Sequence, residues 1–214
     1  MRRTIRFLAR YDPLATAAMT GIFAIGGFLI TLLTRNAEGV FYRYYQMSPA
    51  LGGFCLAVFA LATGCYYANT ALSMGATRRN YFWGSQAVKV LCTLVVTALL
   101  SLAVLLPDLC RAPWIEPPMS LRSLPLIFVF TLFAQELGGF LSFLASRRRW
   151  LLVLSLLVLI TLLTAGTMLF LLARDDVLHL AFGIWDGWLV LALLAGAVLF
   201  AGLSWLPLAK YTVQ

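Results

Sequence analysis

The sequence predicts an all-α integral membrane protein of six transmembrane helices, with both termini cytoplasmic and a short N-terminal interfacial helix. Three observations carry this. Of 214 residues, 62% are hydrophobic and 11% charged, with a mean hydropathy of +0.92. A soluble domain is about 45–50% apolar and about 25% charged, so this chain must place its excess apolar side chains in lipid. The apolar residues also fall in unbroken runs near the ~20 residues that cross a hydrocarbon core. Barrel strands would instead alternate over about 10 residues. Finally, basic residues are dense in every second connection.

The elements follow in order. Residues 1–12 read as a basic helix on the membrane surface, where Phe7 and Leu8 can enter the acyl boundary while Arg3, Arg6 and Arg10 meet headgroups. The alternative is a disordered basic tail that serves only topology. The apolar run that follows is too long for a signal peptide, and no small-residue cleavage site follows it. Asp12-Pro13 separates this segment from the first span. Spans are expected at 14–33, 50–68, 87–106, 125–145, 151–173 and 188–206. Pro49, Pro107, Pro125 and Pro207 sit at or beside their ends, where a missing N–H costs little. The connections leave no room for a folded extramembrane domain, so residues 1–214 form one membrane domain.

Charge sets the orientation. Arg2, Arg3, Arg6, Arg10, Arg78, Arg79, Lys89, Arg147, Arg148, Arg149 and Lys210 place eleven basic residues on one side. Arg35, Arg43, Arg111, Arg122 and Arg174 leave five on the other, with six of the eight acids. The first side is therefore cytoplasmic, and this topological use of the +8 net charge removes the need to invoke nucleic acid.

Several chemistries are missing from the sequence. Phosphate binding by GxxxxGK[ST] needs its lysine, and the two lysines, Lys89 and Lys210, stand outside any such motif. Any ATP must therefore be used by another subunit. The single histidine, His179, lies with Asp175 and Asp176 in an outer loop with no convergent ligand set, and no nucleophile is paired with a base. No metal, bound cofactor or catalytic residue is expected. Cys55, Cys65, Cys92 and Cys110 show no metal or disulfide spacing and read as small hydrophobes.

The connection at 69–84 is distinctive. Gly75 stands where a helix would end in a left-handed cap, and Thr77 is placed to cap a new short helix. Gly84 allows a further turn before the third span. Arg78 and Arg79 beside Tyr81, Phe82 and Trp83 form a basic, aromatic knuckle at the membrane face. Such side chains suit headgroup depth and also anchor protein interfaces.

With Ser73, Gly75, Thr77, Arg78, Arg79, Tyr81, Phe82 and Gly84 in this order, and a basic opening, the chain resembles the small six-span permease subunits of bacterial ABC transporters. The resemblance is to the exporter class that begins with an elbow helix. It implies that residues 69–84 form the coupling segment docking on a cytoplasmic ATPase subunit, which holds the ATP and Mg. It also implies a second permease copy or a homologous permease, in a bacterial cell membrane. The large outer domain of some relatives is absent. Two alternatives stand beside it: a substrate-capture subunit of an energy-coupling-factor importer, and a non-transporting immunity or assembly protein.

Glu136, beside Gln135 and before Gly138-Gly139, lies near mid-span. A carboxylate facing lipid there costs at least about 2.5–3.5 kcal/mol. It therefore lines a translocation path, or it fixes packing by meeting Thr93, Thr97, Thr161 or Thr164. The glycine pairs 26–27, 52–53 and 138–139 suit close helix approach. Residues 174–187 read as an outer interfacial loop or helix with Trp185 as an anchor.

Overall fold

The computed structural model describes residues 12–36, 39–119, 121–145, 149–174 and 186–209. The segment at 1–11 and most of the 174–187 loop lie outside these residues. Every regular element described is helical.

Helix α1 begins at Asp12 with Pro13 in its first turn, where a missing N–H leaves nothing unpaired. It runs as Asp12–Gly21, a π-helical stretch Ile22–Gly26 and Gly27–Thr34. A short helix α2, Val40–Gln46, then folds back. Gly27 permits this, because a Cβ there would lie 3.1 Å from the Phe41 carbonyl oxygen and 3.2 Å from the Tyr45 nitrogen. After Met47 come α3 (Ser48–Ser73), α4 (Arg78–Leu109), a 3-10 turn (Leu121–Ser123) and α5 (Leu124–Ala145). Helices α6 (Arg149–Arg174) and α7 (Asp186–Ala209) are the last elements among the described residues.

Among the described residues, five helices are long and apolar enough to cross a membrane: Ala15–Thr34 within α1, α3, α4, α5 and Gly187–Ala209 within α7. Helix α6 covers the expected fifth span over 26 residues, and the apolar stretch described within it is Val153–Leu162. Helix α2 and the π-helical stretch had no counterpart in the sequence pattern. The separate short helix expected at the knuckle is not present, since α4 is unbroken from Arg78 and starts nine residues before the expected 87. Residues 78–86 are too polar to register as a span, yet Gly84 is buried inside the helix and ends nothing.

Helix α5 is the hub. Two thirds (67%) of its apolar window is buried, against 11% for α7. Contact pairs set directions. Gly53 lies under Phe130 and Gly64 under Ser142, so α3 and α5 run parallel. Gly196 meets Phe133 and Phe200 meets Phe140, so α7 runs parallel to both. The closest approach is at Gly138, whose hydrogen faces the Ala57 backbone. Close packing of this kind, with no hydrophobic drive inside lipid, is what holds such helices together.

One proline explains a distant contact. Pro107 lies inside α4 and has no N–H for the carbonyl four residues back, Ala103. That oxygen instead accepts a 2.8 Å hydrogen bond from Tyr45 Oη. Tyr45 is fully buried, and its burial, with Tyr42 beside it, pushes the phenol well above its usual range, so it stays a donor. Tyr45→Phe is expected to leave a buried acceptor unpaired and to cost about 1–3 kcal/mol. Thermal melting of the purified protein checks this; a melting point equal to wild type would remove the assignment.

Candidate functional site: a buried ion pair beside an aromatic cleft

The knuckle is held at both of its ends. Helix α3 stops in a Schellman motif: Ala76 N–H donates to the Ala71 carbonyl at 3.0 Å and Gly75 N–H to Leu72 at 3.0 Å, with Gly75 at φ 81°. This is the left-handed geometry that glycine adopts without strain. Thr77 Oγ1 then accepts from Asn80 N–H at 3.2 Å, capping α4. Ser73 turns its hydroxyl back onto the Thr70 carbonyl.

The expected site residues divide into two sets. Ser73, Gly75, Thr77, Arg78 and Arg79 are exposed. Tyr81 and Gly84 are buried and Phe82 half-buried, while Trp83 is exposed, so two of the three rings of the knuckle face the bundle. Tyr81 Oη donates to the Gly64 carbonyl at 3.1 Å, and the Phe82 ring stands edge-on to Trp205 at 5.2 Å. Arg78 Nη1 donates to the Ala209 carbonyl at 2.6 Å, tying the knuckle to the last turn of α7.

Tyr81 and Phe82 also wall a cleft of about 60 Å³, shared with Phe59, Tyr67, Lys89 and Gln135. That volume holds more than one water. Behind the cleft wall, Lys89 Nζ donates to Glu136 Oε2 at 2.6 Å, with the side chains 13% and 2% exposed. Gln86 Nε2 lies 3.4 Å from the same oxygen. Glu136 Oε1 is buried with no hydrogen-bond partner. Gln135 Oε1 accepts from Thr93 Oγ1 at 3.3 Å. At Gly139 a Cβ would come within 3.0 Å of Lys89 Nζ, so glycine leaves the space across which Lys89 reaches.

This corrects the expected hydroxyl partners of Glu136. Thr93 meets Gln135 instead, while the hydroxyls of Thr97, Thr161 and Thr164 donate within their own helices. Lys89, counted from sequence with the surface charges, is eleven residues into α4, roughly 16 Å from its start. The readable signal was the polar stripe Gln86, Lys89 and Thr93, spaced 3 and 4 residues apart and so on one helix face. A buried pair of this kind does little for net stability, but losing one partner strands a charge. Parting the two side chains would leave a buried charge without its partner.

Gln135 and Glu136 thus come together with Tyr81 and Phe82 around one cleft, through Lys89, while Ser73, Gly75, Thr77 and Arg79 stay outside it. Among the described residues no cluster of His, Cys, Asp or Glu is able to hold a metal. Fold and site define a multi-pass helical membrane protein with an ion pair inside its bundle. No family model, curated protein or solved structure matches the chain.

Proposed function

We infer that the chain is the membrane-spanning permease subunit of an ATP-driven transporter of the ABC exporter class. It would cross a bacterial cell membrane six times with the knuckle on the cytoplasmic side. The observation that carries this reading is mechanical. The knuckle is the capped first turn of the same unbroken helix that bears Lys89, so no joint lies between an external push and the ion pair. A rigid element with two discrete arrangements is what couples distant sites. The ATPase partner binds ATP and Mg, and its closure displaces α4 against α5. Lys89 then parts from Glu136, and the cleft opens toward a second permease copy or homologous permease.

Direction along the chain supports six crossings. Because α5 and α7 run parallel, the chain between them must return across the bundle. The 26 residues of α6 span about 39 Å, more than the ~30 Å core. The excess of Arg and Lys at the knuckle side favours its cytoplasmic placement.

Arg79→Glu is the cleanest test, because Arg78 also holds α7. Arg79→Glu is expected to lower recovery of an ATPase in mild-detergent extracts at least tenfold while leaving thermal melting unchanged. Arg78→Glu/Arg79→Glu is expected to abolish that recovery. Unchanged co-purification and ATP turnover in the double variant would end the coupling proposal.

A further inference from the structure

The end of the bundle farthest from the knuckle carries an unusual coincidence. Among the described residues, Arg35 and Arg111 are the two non-glycine positions with left-handed backbone, both at φ 51°. One follows the last residue of α1 and the other closes α4, and both line the same cavity of about 540 Å³, with Leu32, Cys110, Ala112 and Trp114. Left-handed positions at helix ends ordinarily go to glycine or asparagine, since a Cβ crowds the carbonyl oxygen there. Arginine at both is the locally unfavourable choice, and strain of this kind concentrates at binding sites.

The geometry points to a site for a phosphate-bearing anion, with Arg35 and Arg111 as its two arms. No acidic residue lines the cavity, and neither guanidinium has a hydrogen-bond or ion-pair partner among the described residues. Arg111 is fixed from behind. Its N–H donates to the Asp108 carbonyl at 3.2 Å, the Ala112 N–H donates to Pro107 at 2.9 Å, and Ala112 is buried. Favourable interaction of a cation with the negative end of its own helix accounts for an arginine at each terminus. It does not account for the left-handed backbone at both, nor for their meeting on one cavity. Two planar forks with a combined charge of +2 match a phosphate's oxygens, which arginine binds bidentately. Leu32 and the 41%-exposed Trp114 add an apolar wall at the depth where tryptophan meets headgroups. The same chemistry serves a lipid phosphodiester or a free phosphate, and the wall favours the lipid.

The test uses the full chain in dodecyl maltoside, titrated with short-chain phosphatidylglycerol or with inorganic phosphate, and reads the shift in melting temperature. Wild type is expected to be stabilised by the lipid, and Arg35→Gln/Arg111→Gln to need at least tenfold more of it. Arg43→Gln, a neighbouring arginine outside the cavity, should respond as wild type does. A response to phosphate as strong as to lipid supports the site and assigns it to a soluble phosphorylated ligand. Arg35→Gly/Arg111→Gly adds a second signature: a higher melting temperature without ligand, through relieved backbone strain, together with loss of the response. A glutamine double variant that responds within twofold of wild type, or a wild type that responds to neither ligand, overturns the proposal.

Discussion

Gly138→Ala is expected to force α3 and α5 apart and to cost about 3 kcal/mol, the upper end of ordinary overpacking. A Cβ at this position overlaps the Ala57 carbonyl oxygen and lies 2.9 Å from its carbon. Both belong to helix backbone, so no rotamer change makes room. The cost falls on the largest interface of the hub helix, and the melting temperature should drop by roughly 6–12 °C. Two glycines serve as controls. A Cβ at Gly202 would have nothing within 4 Å of it, so Gly202→Ala should be neutral or gain the helix propensity of alanine, up to about 1 kcal/mol. At Gly139 the nearest atom is Lys89 Nζ, the mobile tip of a long chain, so Gly139→Ala should spare the fold and disturb the ion pair. Equal melting of Gly138→Ala and wild type would mean that α3 and α5 do not meet as described.

The second large effect concerns Lys89 and Glu136. Replacing either alone, as Lys89→Met or Glu136→Gln, strands its partner where both side chains are nearly enclosed. Each single change is expected to cost about 3–5 kcal/mol, and the double variant to return close to wild type. This non-additivity is the signature of a direct pair, and thermal melting of the four proteins measures it. Additive losses would show that the two groups do not share a bond. The double variant also separates architecture from function: under the permease reading it folds normally yet loses transport, because no charge remains to be parted.

The sequence made the lipid-facing character legible, along with the helical runs and the inward placement of Glu136 away from lipid. Each depends on composition or on spacing within one segment. Thr77 and Gly75 were legible for the same reason, since caps are local. Lys89 as the partner of Glu136 was not, because 47 residues separate them and helix rotation decides which face of α4 meets α5. The Tyr45 bond to Ala103 was half visible. Pro107 announces that some carbonyl lacks its donor, but nothing within α4 says that a tyrosine 58 residues earlier supplies it. The inward turn of Tyr81 and Phe82 was hidden likewise. Rings next to arginines suit a headgroup layer or a cleft equally well, and only the placement of Gly64 and Trp205 decides.

The shared direction of α3, α5 and α7 has an electrostatic consequence. Their carboxyl ends, Ser73, Ala145 and Ala209, gather at a single rim, and each contributes a negative pole of about half a charge. The amino ends of α1 and α4, Asp12 and Arg78, reach the same rim as positive poles, so the poles of the bundle largely offset one another there. Arg78, seated on the Ala209 carbonyl, already answers one pole. Apart from that one local contact, the backbone takes little of the charge of the basic side chains at this rim, and the field that an approaching molecule meets is set by the arginines themselves.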